Sequence, residues 1–88
     1  MAKSSSAAAL RKIIQQAKPQ STEIEVAPGD DLWESRLLDS FAVVRLVFLL
    51  EEEYEIVIDF KDVTAKNFRS LESILALLRD KYQISSNP

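Results

Sequence analysis

Three stretches of this chain repeat apolar residues at the spacing of an α-helix, and this repetition constrains the fold more than any other feature. The strongest signal spans residues 40–54, where one face carries Val43, Leu46, Val47, Leu50 and Tyr54. Residues 7–17 show the same spacing after the hydroxyl cluster Ser4-Ser5-Ser6, which predicts a capped helix start. A third helix is predicted to begin near Ser70. The pattern predicts an all-α fold, a small bundle of three to four helices.

The connections between these helices are unequal in length. Pro19 ends the first helix, and Pro28-Gly29 then predicts a turn in which Gly29 has a positive φ. Ile24 and Val26 alternate with acidic residues along this first connection, and Leu32 and Trp33 predict anchors that hold it against the helices.

The second connection contains Ile56-Val57-Ile58, which has the composition of a strand. No second strand signal accompanies it, so we expect an extended connector leading into a short helical turn over residues 60–66.

The composition limits the chemistry available to the chain. Its 88 residues suffice for one core, so we expect a single domain over residues 1–88. With no cysteine and no histidine, the chain has no disulfide, no thiolate zinc site and neither serine–histidine nor cysteine–histidine catalysis. We expect no catalytic residue and no metal ligand set. Any chemistry depends on carboxylates, on a hydroxyl or on an attached group.

The charge is unevenly distributed. Residues 1–20 carry four basic side chains and no acidic one, whereas residues 21–88 carry 14 acidic against 7 basic side chains. An acidic body repels phosphate backbones, and no apolar run is long enough to span a membrane. We therefore expect no nucleic-acid partner and no stable membrane insertion. The basic, Ser- and Ala-rich start resembles a transit peptide, but the first helix needs the same residues, so we expect a cytoplasmic protein. We also expect the protein to be a monomer.

Asp39 and Ser40 stand where the long connection meets the second helix. Unpaired backbone N–H groups and the helix dipole at such a position favour an anion, so a phosphate ester on Ser40 would be tolerated there. An Asp-Ser pair before an apolar run is also typical of an ordinary helix cap, and Asp39 alone would satisfy that interpretation.

The residues around Asp39 and Ser40 show a longer pattern than a helix cap requires. Asp31-Leu32-Trp33-Glu34-Ser35-Arg36-Leu37-Leu38-Asp39-Ser40-Phe41 is followed by Leu46, by Leu49-Leu50-Glu51-Glu52-Glu53-Tyr54 and by Asn67-Phe68-Arg69-Ser70-Leu71-Glu72-Ser73-Ile74. Over nearly the whole chain this arrangement resembles the acyl and peptidyl carrier proteins. It is most similar to the discrete carriers of an amino acid or small acyl unit, the D-alanyl carrier proteins among them.

The resemblance implies that Ser40 is the covalent attachment point of 4'-phosphopantetheine from coenzyme A. Asp39 would then be read by the phosphopantetheinyl transferase, directly or through a metal ion. The arm would hold an acyl or amino acid unit as a thioester, loaded by an activating ligase and removed by a downstream acyltransferase. Ser40 would be a handle rather than a catalytic nucleophile, because no local base activates its hydroxyl.

The resemblance also implies a docking surface on the outer side of the second helix and on the short helical turn over residues 60–66. Its predicted members are Phe41, Ala42, Arg45, Phe48, Glu51, Glu52 and Val63. Phe48 is either an exposed hot spot or a core residue, and the Glu51-Glu52-Glu53 run either steers a basic partner or is a solvated face. Two departures stand out: Arg36 replaces a glycine that is common in the similar carriers, and Ala42 and Arg45 dilute the acidic character of the helix.

Two other functions compete with a carrier. A helical interaction module would use the same scaffold without a prosthetic group. An enzyme built on carboxylates such as Asp59 and Asp62 is disfavoured, because a single small bundle offers no cleft in which to shift their pKa values.

Overall fold

The computed structural model describes residues 6–17 and 27–84. Within these ranges the chain forms helix α1 (Ala7–Ala17), helix α2 (Ser40–Tyr54), a 3₁₀ turn (Phe60–Asp62) and helix α3 (Leu71–Tyr82), with no strand. The all-α prediction is confirmed. The predicted start of α1 is also confirmed, since the backbone N–H of Ala9 donates to Oγ of Ser6 at 3.1 Å.

Helix α1 packs against both α2 and α3. The apolar faces predicted for the helices are largely buried, and in α2 only Val47 of the predicted face is half-buried. Burial of a large aliphatic side chain contributes about 1.5–3 kcal/mol, which outweighs the weak helix propensity of valine. The residues with no exposed surface come from all three helices and from the connections: Leu10, Ile14, Leu32, Leu46, Leu50, Phe68, Leu71, Ile74 and Leu78.

The described part of the long connection is fastened to the segment before α3. Leu32 is fully buried, and its backbone N–H donates to the carbonyl of Arg69 at 2.7 Å. The indole N–H of Trp33 donates to the carbonyl of Phe68 at 3.2 Å. Both predicted anchors are therefore confirmed, and they fix the chain a few residues before α2 begins. The predicted alternation at Ile24 and Val26 lies outside the described residues.

The turn at Pro28-Gly29 differs from the prediction. The backbone N–H of Asp30 donates to the carbonyl of Ala27 at 3.0 Å, which closes a β-turn around these two residues. Gly29 does not have a positive φ, so this is not the type II turn that demands glycine at the third position. The left-handed residues are instead Arg36 (φ 65°), Glu55 (φ 53°) and Gln83 (φ 58°).

The connection after α2 has no regular secondary structure before its helical turn, and this turn is shorter than the predicted residues 60–66. Asp59 caps the turn by accepting from the backbone N–H of Lys61 at 2.9 Å. The carbonyl of Asp62 accepts from the side-chain amide of Asn67 at 3.0 Å and from the backbone N–H of Thr64. The backbone N–H of Thr64 donates to Asp62 and not to Lys61, which is the acceptor that a continuing 3₁₀ helix would use, so the turn ends at Asp62.

Candidate functional site

Asp39 is the N-cap of α2. Its backbone is extended, and its Oδ1 accepts from the backbone N–H groups of Phe41 at 3.0 Å and Ala42 at 2.8 Å. Its carbonyl accepts the first helical bond, from Val43 at 2.9 Å. One carboxylate thus satisfies two of the donors that a helix start leaves unpaired, and the cap interpretation is correct for Asp39.

Ser40 is the first residue of α2, and it is exposed. It borders an open depression whose wall comes from the end of the long connection: Trp33, Glu34, Arg36, Leu38, Asp39 and Ser40. The indole bond of Trp33 and the buried side chain of Leu38 hold this wall in place. The hydroxyl of Ser40 therefore lies on a firmly anchored helix start, open to a second protein.

The electrostatics of this helix start differ from the sequence expectation. The N–H groups of Phe41 and Ala42, which an anion on Ser40 was expected to find unpaired, already donate to Asp39. Asp39 and Glu34 contribute negative charge to the depression, and Arg36 contributes positive charge.

The backbone of Arg36 adopts the conformation that favours glycine. Residues 32–36 form a turn in which the N–H of Arg36 donates to the carbonyl of Trp33 at 3.1 Å. The N–H groups of Leu37 and Leu38 then both donate to the carbonyl of Leu32 at 3.0 Å. Closing the turn in this way puts residue 36 in the left-handed region, which glycine adopts without a steric penalty.

The predicted docking residues on α2 fall into two groups. Phe41 is 83% and Phe48 is 64% exposed, and Val44, which the prediction left out, is 50% exposed between them. These three residues recur at helical spacing, so they form one apolar face, with Arg45 and Glu52 also exposed. We call Phe41, Val44 and Phe48 the exposed face of α2. Phe48 is therefore a surface residue rather than a core residue.

Three other predicted docking residues are less available. The assignment of Ala42 is corrected, because it is 4% exposed and belongs to the core. Its spacing of four residues from buried Leu46 is the signal that would have placed it correctly. Glu51 is half-buried, and its Oε2 accepts from the backbone N–H of Ile58 at 2.8 Å, so it ties α2 to the connection. Val63 is half-buried as well.

Some candidate residues were missed by the sequence patterns. Trp33, Glu34 and Leu38 line the depression beside Ser40. The sequence predicted Trp33 only as an anchor of the long connection and gave Glu34 and Leu38 no role. Val57 and Phe60 are 84% and 88% exposed on the second connection. Their exposure could not be predicted, because apolar residues in a short connector usually indicate packing rather than surface.

The carboxylates considered for an enzyme both have structural partners. Asp62 is buried, and its two carboxylate oxygens accept from Nζ of Lys81 and from the hydroxyl of Tyr82, each at 2.7 Å. These bonds, that from Lys81 above all, lower the pKa of Asp62. A carboxylate held ionised in this way is poorly suited to act as an acid or base near neutral pH. Asp59 caps the 3₁₀ turn.

Comparison with known proteins gives one informative likeness. No protein-family model and no curated protein matches the chain. The fold is similar to that of a chain in the crystal structure of Bradyrhizobium japonicum glycine:[carrier protein] ligase complexed with its cognate carrier protein and an analogue of glycyl adenylate. The TM-score is 0.73 at 20% sequence identity, over 85% of this chain and 96% of the other. The matched chain is the carrier partner of that ligase, and the likeness establishes a carrier-protein-like fold.

No helix among the described residues is long and apolar enough to cross a membrane.

Proposed function

We propose that this chain is a discrete carrier protein, not itself an enzyme, whose Ser40 bears 4'-phosphopantetheine. The observation that carries the proposal is an exposed serine at the first position of α2, directly after a capping aspartate, in a fold similar to that of a carrier protein. The anchored loop before α2 supports it, because it holds the serine open to solvent on a rigid element.

The residues around Ser40 fit such a group. The hydroxyl borders an open depression, so a long flexible arm has a route outward. The chain contains no cysteine, and the prosthetic group supplies the thiol that a thioester requires. The chain also contains no histidine to take the proton of the Ser40 hydroxyl. A separate phosphopantetheinyl transferase must therefore supply the base for attachment from coenzyme A.

The cargo that we propose is an amino acid or small acyl unit. Support for the amino acid comes from the similar structure, in which the carrier is complexed with a ligase for glycine. An activating ligase would load the group and a downstream acyltransferase would remove it. We propose that the protein works as a monomer in the cytoplasm, shuttling between these enzymes.

The exposed face of α2 is the surface that we propose for docking. Phe41 lies next to Ser40 and Phe48 two turns further along the same helix, so a partner that covers this face also reaches the modified serine. Arg45 and Glu52 at its border would set the orientation of the partner more than the affinity. A face of three apolar side chains suits the small, short-lived interfaces that a shuttle needs.

Intact mass spectrometry tests the attachment. The purified apo-protein is incubated with coenzyme A and a broad-specificity phosphopantetheinyl transferase, and its mass should increase by one phosphopantetheine group. The S40A variant should gain nothing. The matched control is S35A, which removes another serine hydroxyl, one that donates to the carbonyl of Leu32 in the preceding turn, and which should be modified like the wild type.

Two outcomes would count against the proposal. If the wild-type protein gains no mass, a helical interaction module without a prosthetic group, which would use the same exposed face of α2, becomes the better account. If S40A gains as much mass as the wild type, another side chain carries the group.

A further inference from the structure

The depression beside Ser40 has one accessible aromatic side chain in its lining. Its volume is about 710 Å³, which lies within the range of pockets that bind small molecules. Of its large apolar lining residues, Leu38 is only 2% exposed and belongs to the core. Trp33 is half-buried, so part of its surface remains accessible to a group that enters the depression.

Trp33 is held in place before any such group arrives. Its indole N–H donates to the carbonyl of Phe68 at 3.2 Å, and its backbone N–H donates to Oδ1 of Asp31 at 2.9 Å. The side chain also packs against the buried core. Because these contacts already fix the ring, a further contact with its accessible part costs little additional side-chain entropy.

The arm that we propose for Ser40 has its apolar group close to its attachment point. In 4'-phosphopantetheine the phosphate is followed by a methylene and then by a carbon that bears a geminal pair of methyl groups. The amides and the thiol lie further along the arm. The methyl pair is therefore the apolar part of the arm that stays nearest to Ser40, at the depth of the depression, and its burial against an aromatic ring is favourable.

We propose that the geminal methyl groups of the arm on Ser40 pack against the indole of Trp33. This inference rests on the proposed function, because it requires that Ser40 be modified. The contact is non-covalent and buries little area, so a partner enzyme can displace it when it takes the arm. Trp33 is a positioning residue: it holds the base of the arm beside the long connection rather than over the exposed face of α2.

Nuclear magnetic resonance of the modified wild-type protein tests the contact directly. Conversion is first verified by intact mass. Nuclear Overhauser contacts should then connect the geminal methyl protons with the ring protons of Trp33, whose signals are unambiguous because the chain contains no other tryptophan. The methyl signals should also lie upfield of their positions in the same protein unfolded in urea, because the indole ring shields protons above its face.

Variants separate the ring from other causes of such a shift. W33L keeps an apolar side chain without the ring, and its modified form should lose the upfield shift. The matched control is F41L, because Phe41 is the exposed aromatic residue next to Ser40 but does not line the depression. Its modified form should retain the wild-type methyl shifts. W33L also loses the bond to Phe68, so its fold is first checked by its amide spectrum, and the wild-type contacts and F41L decide the matter if it does not fold.

The outcomes distinguish this inference from the proposed function. If the wild type is fully converted but its methyl signals stay at their unfolded positions, without contacts to Trp33, the inference is wrong although the carrier role stands. Contacts to Phe41 in place of Trp33 would put the arm over the exposed face of α2 and would also overturn it. If no mass is gained, both the attachment and the contact are wrong.

Discussion

At the scale of single residues, Asp39 and Ser40 have separate tasks although they are neighbours. Asp39 satisfies the donors of the helix start, and Ser40 remains exposed as the first residue of α2. The cap and the carrier interpretations of this dipeptide are therefore compatible. A sequence pattern cannot separate the two tasks, because either side chain is able to cap a helix.

Replacing Asp39 with alanine should destabilise the protein by about 1 kcal/mol, because two backbone N–H groups lose their acceptor. D39N keeps an acceptor oxygen and should lose less. S40A should change the free energy of unfolding by less than about 0.5 kcal/mol. Urea denaturation of the three variants measures these changes in the free energy of unfolding. A D39A protein as stable as the wild type would contradict the capping role.

Replacing Arg36 with glycine should stabilise the protein by roughly 0.5–1 kcal/mol, because glycine removes the left-handed penalty while its greater freedom in the unfolded chain offsets part of the gain. E55G and Q83G are matched controls at the other left-handed positions among the described residues, and they should also be more stable than the wild type. Denaturation midpoints provide the measurement. If R36G is less stable than the wild type while both controls are more stable, the account of the Arg36 backbone is wrong.

At the scale of elements, the helices were predictable and the connections were less so. The bounds of α2 follow from a capping aspartate before a periodic apolar run, both of which are local features. The left-handed Arg36 was not predictable, because the hydrogen bonds that produce it depend on how Leu32 packs, which is a tertiary effect. Pro28-Gly29 is compatible with more than one turn type, and the assignment of a positive φ to Gly29 was wrong for that reason.

The second connection is joined to α3 by ionisable side chains, which makes the stability of the protein depend on pH. Asp62 accepts from Lys81 and Tyr82, and the Tyr82 hydroxyl accepts from the backbone N–H of Asp59 at 2.8 Å. The pKa of Asp62 is lowered, chiefly by the hydrogen bond from Lys81, and the same bond raises the pKa of Lys81. The pKa of Tyr82 is raised, first by burial and then by its bond to Asp62.

The signs of these shifts define the pH ranges. The contribution of Asp62 is present above the ordinary aspartate pKa and is lost as the pH falls through its lowered value. The contributions of Lys81 and Tyr82 are present below their ordinary pKa values and are lost as the pH rises through their raised values. We therefore expect the contribution of this junction to the free energy of unfolding to be constant around neutral pH and to decrease in acid and in strong alkali.

Thermal unfolding of the wild type and D62N across the acid range checks this expectation. The stability advantage of the wild type over D62N should shrink as the pH falls below the ordinary aspartate range. The control E52Q, which changes an exposed carboxylate of α2, should show no such convergence. A wild-type advantage that persists undiminished into strong acid would contradict the role of the Asp62 carboxylate.

At the scale of the whole molecule, α2 has two apolar faces in different environments. One is buried against the rest of the bundle, and the other carries Phe41, Val44 and Phe48 in solvent. The sequence left Phe48 open between the surface and the core, and the structure places it in solvent. Ala42 was misplaced on the docking surface, although its spacing of four residues from Leu46 puts it on the buried side of α2.

A pair of substitutions on α2 tests this division. L50A should cost about 2–5 kcal/mol, because Leu50 is fully buried and its truncation leaves a cavity. F48A should change stability by less than about 0.5 kcal/mol, because Phe48 is mostly exposed. Chemical denaturation compares them under identical conditions. A loss of several kcal/mol in F48A would mean that α2 is rotated from the orientation described.

The identity of the group on Ser40 is the claim on which the carrier account depends. Peptide fragmentation mass spectrometry of the protein purified from its own host measures it most directly, since the spectrum locates any attached group on a residue. The account predicts a phosphopantetheine group on Ser40, free or with its carried unit. A purified population in which Ser40 is unmodified throughout, or in which the group lies on a different serine, would contradict it.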